Sequence, residues 1–150
     1  MNTIELAKKY LIDYLKNKDV LFKKIKDIKE ESDSFTIIFN ERKTKYLIQL
    51  DIIPKKLIEE LENNRDLSLV CVNNSENLKK VIKLWKTLIS YRNFSIYFIN
   101  PFSETGKHWA LFPATHYIVT DRFKHGLSTL QSSVEKISLE EFEKKANEYS

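Results

Sequence analysis

Residues 67–101 read LSLVCVNNSENLKKVIKLWKTLISYRNFSIYFINP, and their rhythm decides the fold. Leu67 to Val72 is an unbroken apolar run of strand length, the pattern of a strand buried on both faces. Ser75 then stands as the cap of a helix over 77–91. Along it Leu78, Val81, Ile82, Trp85, Leu88 and Ile89 fall on one side, and Lys79, Lys83 and Lys86 on the other. Phe94 to Ile99 is a second strand, stopped by Asn100-Pro101. Strand, helix and strand in this order make a crossover, so the two strands belong to a sheet that the helix covers.

Upstream, Pro54 occupies the first position of a shorter helix with Leu57, Ile58 and Leu61 on one face, ended by Asn63-Asn64. That helix supplies a second crossover. Before it lie Phe35 to Phe39 and Tyr46 to Ile53, dense in β-branched and aromatic residues, and a less regular run from Leu21 to Lys29. The polar joints 30–34 and 40–43 suit hairpin loops, so these runs form an antiparallel meander. The first helix places Ile4, Ala7, Tyr10, Leu11, Tyr14 and Leu15 at helical spacing, with Thr3 as its cap and Glu5 in its first turn. Downstream, Trp109 to Phe112 reads as a short strand and Pro113 to Gly126 as less regular chain. Ser138-Leu139-Glu140-Glu141 is a capping box that opens a last helix. The expected fold class is α/β, a mixed sheet with an N-terminal helix, a β-meander and two β-α-β crossovers. It forms one domain over 1–150, without repeat, Gly/Ser linker or low-complexity tract.

Composition excludes several functions. With only 2 glycines in 150 residues, neither G-x-G-x-x-G nor G-x-x-x-x-G-K-[ST] is present, so no nucleotide cofactor is implied. A hydrophobic fraction of 42% against 31% charged supports a folded core rather than disorder. No apolar run approaches the length of a membrane span, and MNTIELAKKY opens an amphipathic helix rather than a signal peptide, so no membrane partner is expected. Cys71 is the single cysteine, which excludes a disulfide framework or a cysteine zinc site and suggests a reducing, cytoplasmic setting.

The formal net charge of +4 conceals one strongly basic segment, since residues 79–125 carry eight basic and two acidic groups. Lys79, Lys80, Lys83, Lys86 and Arg92 fall within a stretch from Asn77 to Ser103 that has no acid at all. Such a pattern suits an anionic partner, nucleic acid first. The plain alternative is a lysine-rich solvated face that only keeps the protein soluble. The segment 100–109, NPFSETGKHW, adds flexible residues after a core strand, where open α/β sheets tend to bind ligands. There Trp109 and Phe102 would stack on a base, and Lys107 would meet a phosphate, with Arg122 and Lys124 contributing from the following chain. The alternative is a hairpin whose Trp109 packs into the core.

His108, His116 and His125, with Asp121, are candidate metal ligands or acid–base groups, but spacings of eight and nine match no recognised zinc motif, and no metal is assigned. Cys71 sits among Leu69, Val70 and Val72, the setting of a small buried hydrophobe rather than a nucleophile. Ser103, Thr105, Ser128 and Ser132 lack the strained turn of a nucleophile elbow.

The order of helix 3–17, β-rich 21–53, buried strand 67–72, helix 77–91 and strand 94–99 resembles the central portion of the PD-(D/E)XK nuclease superfamily. This is the restriction-endonuclease-like fold that includes archaeal Holliday-junction resolvases. The resemblance spans roughly two-thirds of the chain, with the helix after Pro54 as an extra element. In the family the buried strand carries an acid-x-Lys signature. Here Cys71 and Asn73 stand at those places, and alignment on the earlier strand offers Gln49 and Asp51, followed by Ile53. The family's chemistry needs at least two carboxylates for a divalent ion and a lysine beside the attacking hydroxide. The resemblance therefore implies a catalytically silent copy.

Three functions are carried forward. The first is a non-catalytic nucleic-acid-binding domain that uses the lysine helix with Lys107, Trp109, Arg122 and Lys124. The second is an assembly subunit or homodimeric scaffold that docks through an apolar edge strand or the aromatic segment 94–112. The third is a metal-dependent nuclease with a displaced site around Asp51, Glu41 or the histidines.

Overall fold

The computed structural model describes residues 2–103, 108–115 and 123–148. Helix α1 (Thr3–Asp19) leads into strands β1 (Asp27–Glu30), β2 (Ser34–Ile38) and β3 (Lys43–Ile48). Then come α2 (Pro54–Asn63), β4 (Leu67–Val72), α3 (Ser75–Lys83), the single turn α4 (Trp85–Leu88), β5 (Ser95–Ile99) and β6 (Trp109–Leu111). Helices α5 (Phe123–Ser132) and α6 (Leu139–Glu148) follow. Among the described residues the six strands form one sheet whose spatial order is the chain order. β1, β2 and β3 are an antiparallel meander, β3, β4 and β5 run parallel, and β6 turns back antiparallel to β5.

The two crossovers advance in the same direction, so a common right hand places their helices on one face. Core contacts agree with this. Leu47 of β3, Leu69 and Cys71 of β4 and Ile96 and Phe98 of β5 pack with Leu57 and Leu61 of α2, Leu78 and Val81 of α3, Trp85 and Leu88 of α4 and Leu127 of α5. Their strand neighbours point the other way. Phe35, Ile37, Tyr46, Ile48, Val70, Val72 and Ile99 meet Ala7, Leu11 and Ile12 of α1 and Phe142 of α6. β4 is thus buried on both sides along all six residues, which is why its sequence shows no alternation.

Several boundaries differ from the sequence reading. Pairing in the first strand begins only at Asp27, so Leu21 and Phe22 are exposed rather than in a strand. The cap of α1 is Asn2, whose side chain accepts from Glu5 N while Glu5 reaches back to Asn2 N, so the capping box lies one residue before Thr3. Asn74 rather than Ser75 caps α3, accepting from Asn77 N at 2.8 Å. The expected continuous helix 77–91 breaks at Leu84 (φ −90°, ψ 2°), where its N–H is shared between Lys80 O and Val81 O. Beyond the break, Trp85 and Leu88 are buried in the core. Helix α5 was unexpected, because Gly126 and three hydroxyl residues dilute its periodicity.

Candidate functional site

The lysine face is built by the packing of α3 and α4. With Leu78, Val81, Trp85 and Leu88 turned into the core, Lys79, Lys83 and Lys86 face solvent, and Arg92 is exposed just beyond. Among the described residues none of these four is ion-paired. Lys80 behaves differently. Its Nζ donates to Asp51 Oδ1 at 2.5 Å and to Ile52 O at 2.9 Å, so it fastens α3 to the chain after β3.

Trp109 does not present its ring to a ligand. It is 6% exposed, lies flat on Phe98 with ring centroids 4.2 Å apart, and donates its indole N–H to Asn73 Oδ1 at 2.9 Å. The position expected to stack on a base is a core position. Phe102 is half-buried, edge-on to Phe142 and beneath the Lys145 ammonium. Lys107, Arg122, Asp121, His116 and Thr105 lie outside the described residues, as do the side chains of Lys124, His125 and Ser128. Within the described part of the aromatic segment 94–112, Phe94, Ile96, Phe98, Ile99, Trp109 and Leu111 are buried, and Phe112 is an exposed large hydrophobe, at 45%.

The carboxyl ends of the parallel strands are closed by amide side chains. Asn73 Nδ2 donates to Val134 O and Glu135 O, Asn100 Nδ2 also donates to Glu135 O, and Ile137 N donates to Asn73 O. These bonds fold the connection between α5 and α6 over the ends of β4 and β5. Asn77, fully buried, accepts from Ile52 N and donates to Leu50 O and Val72 O. At the edge where an α/β sheet would ordinarily take a ligand, the connection covers the strand ends and leaves beside β4 a recess of about 610 Å³ between Asn74–Glu76 and Lys136–Glu141.

The two carboxylates considered for a displaced nuclease site are held apart. Glu41 precedes β3 and Asp51 follows it, with about 20 Å of strand between them. Among the described residues no three His, Cys, Asp or Glu side chains are placed to hold a metal ion. Burial pushes the Cys71 thiol well up, with nearby Lys80 only partly opposing, so it is no thiolate nucleophile. His108 is held among tyrosines, with Nδ1 3.1 Å from Tyr10 Oη, the Tyr14 ring edge-on at 4.2 Å and Tyr97 tilted at 5.8 Å. Burial, then repulsion from Lys18, lowers the His108 pKa, and burial raises that of Tyr10.

The opposite edge of the sheet carries a feature the sequence reading missed. The chain has four arginines. Three of them, Arg42, Arg65 and Arg92, stand just before the parallel strands β3, β4 and β5. Parallel strands start at a common edge, so these three residues share one rim. Arg42 and Arg65 line a groove of about 760 Å³ with Lys43, and with Glu31, Glu41 and Asp66 as its acids. Arg42 and Arg92 flank an adjoining recess of about 220 Å³ containing Asp66, Tyr46, Tyr97, Ser68 and Ser95. The Ser68 and Ser95 hydroxyls are bonded to each other at 2.6 Å. A signal was available: in a lysine-dominated chain, an arginine recurs before each strand of the crossover units.

No family model matches the chain, and no curated protein or solved structure is significantly similar to it.

Proposed function

We propose that this domain binds nucleic acid without cleaving it, along a basic track that begins on Lys79, Lys83 and Lys86 and continues through Arg92 to Arg65 and Arg42. The observation that carries this reading is the convergence of three of the four arginines on the sheet edge toward which the lysine helix runs. A crossover helix runs antiparallel to its strands, so Lys86 lies nearer that edge than Lys79. Guanidinium groups suit phosphate because their planar fork donates two bonds at once. The ammonium groups of α3 and α4 add long-range attraction without base preference. A restriction-endonuclease-like fold belongs to the same proposal, supported by the order of helix, meander, crossover and buried strand. With Cys71 and Asn73 buried in structural roles, such a copy would keep binding and lack hydrolysis.

Fluorescence anisotropy with single-stranded, duplex and branched oligonucleotides tests the reading. Reversing Lys83 and Lys86 to Glu is expected to weaken binding to every sequence alike, and Arg42→Gln with Arg92→Gln to weaken it further. Unchanged affinity in both double variants would remove the proposal.

A further inference from the structure

The turn between α1 and β1 presents three consecutive apolar residues to solvent. Val20 is 63% exposed, Leu21 88% and Phe22 66%. Folded surfaces scatter such residues singly, so a contiguous trio at a tip is unusual. The turn is also built. The Phe22 and Lys23 N–H groups donate to Asp19 O at 3.1 and 2.7 Å. The two carboxylate oxygens of Asp19 accept from Lys24 N at 2.8 Å and Ile25 N at 2.9 Å. Lys23 takes a left-handed backbone (φ 50°), a conformation that costs a residue other than glycine some energy. Ile25, half-buried, then anchors the returning chain to the core. The apolar tip is therefore held out by specific bonds.

Its surroundings are cationic. Lys16, Lys18, Lys23, Lys24 and Lys26 are all exposed, and Asp19 is the single acid within 16–26. This segment's formal charge of +4 equals that of the whole chain.

We propose that the Val20–Phe22 tip docks the protein on an anionic lipid surface, with the apolar trio entering the interface and the five lysines meeting headgroups. Aliphatic and aromatic groups both gain from entering the acyl boundary, and lysines extend from there to phosphate depth. Nucleic acid fits the tip less well. Val20 and Leu21 have no ring to stack, and the Lys24 ammonium lies over the Phe22 ring, 5.5 Å from its centre, on a face a base would use. No helix among the described residues is long and apolar enough to cross a membrane. The proposal departs from the expectation of no membrane partner, which rested on the lack of a spanning segment and not on the surface of the α1–β1 turn. This turn adjoins the track of the proposed function at one place, where Lys24 and Arg42 line a shared recess of about 430 Å³.

The test uses the full chain with Phe22→Trp as reporter, since Trp85 and Trp109 are buried and give a steady background. Vesicles of phosphatidylcholine with about 30% phosphatidylserine should shift the new emission to the blue and sediment the protein, and pure phosphatidylcholine should do so far less. Leu21→Ser with Phe22→Ser should lower vesicle affinity roughly tenfold or more while leaving the melting temperature unchanged. Each of Lys23→Gln and Lys24→Gln should lower it about five-fold. Lys83→Glu with Lys86→Glu should leave it nearly intact. The proposal is overturned if the serine variant still binds vesicles as the parent does, or if no blue shift occurs on anionic vesicles. It is equally overturned if the serine variant loses oligonucleotide or protein binding and keeps vesicle binding.

Discussion

Asn73 stands just beyond β4, and its side chain holds the sheet edge closed. Its energetic role can be worked from three bonds. Asn73 Oδ1 is the acceptor for the Trp109 indole N–H at 2.9 Å, and both residues are buried. Asn73→Leu keeps the side-chain volume and leaves that N–H without an acceptor, which costs about 1–3 kcal/mol. The bonds from Nδ2 to Val134 O and Glu135 O are long, 3.2 and 3.3 Å, and Glu135 O retains Asn100 Nδ2. Their loss adds about 1 kcal/mol, for about 3 kcal/mol in all. Trp109→Phe keeps an aromatic ring against Phe98 but leaves Asn73 Oδ1 unpaired, costing about 2 kcal/mol. In the double variant neither orphan remains, so its cost should fall short of the sum by about 1–2 kcal/mol. Urea unfolding followed by circular dichroism measures all four corners of this cycle. Additivity to within about 0.5 kcal/mol would refute the clamp.

Three further outcomes are expected. Because burial lowers the His108 pKa, the unfolded chain takes up this proton at higher pH than the folded one; its contribution to stability is full above the ordinary value of 6.5 and declines as pH falls below it. His108→Gln should flatten the loss of stability between neutral pH and the folded pKa, as read by thermal melts across buffers. Cys71 should resist a thiol reagent such as dithionitrobenzoate in the native state and react at the rate of global unfolding, since burial pushes its thiol up; rapid labelling of folded protein would contradict its placement. Asp51→Ala should cost no more than about 1 kcal/mol in urea, because Asp51 is about half exposed and the pair with Lys80 is at the surface. The same variant and its parent should leave plasmid uncut with Mg²⁺ or Mn²⁺, and cleavage lost on substitution would reinstate a displaced nuclease site.

The buried strand Leu67–Val72, the two crossovers and the meander were readable because hydrophobic runs and their spacing report burial directly. Local capping chemistry was less readable. Neighbouring Asn and Ser residues at 74 and 75 are both good caps, and only geometry selects Asn74. The roles of Asn73, Asn77 and Asn100 depend on chain segments up to 62 residues away, so no local pattern reveals them. Trp109 illustrates the same limit. An aromatic beside a loop reads equally well as a stacking platform or a core residue, and its acceptor on β4's far end decides for the core. The arginine rim depended on topology that the sequence reading already had. The density of lysines does not reveal it; the positions of the rarer arginines, one before each parallel strand, do.

The most direct measurement is the salt dependence of oligonucleotide affinity. If Lys79, Lys83, Lys86, Arg92, Arg65 and Arg42 each neutralise a phosphate, the logarithm of the association constant for duplex DNA should fall with the logarithm of salt at a slope of about −5. Reversing Lys83 and Lys86 should flatten that slope by about 2. Absence of binding at low salt, or a slope that the reversal leaves unchanged, would contradict a phosphate-tracking surface on this face of the protein.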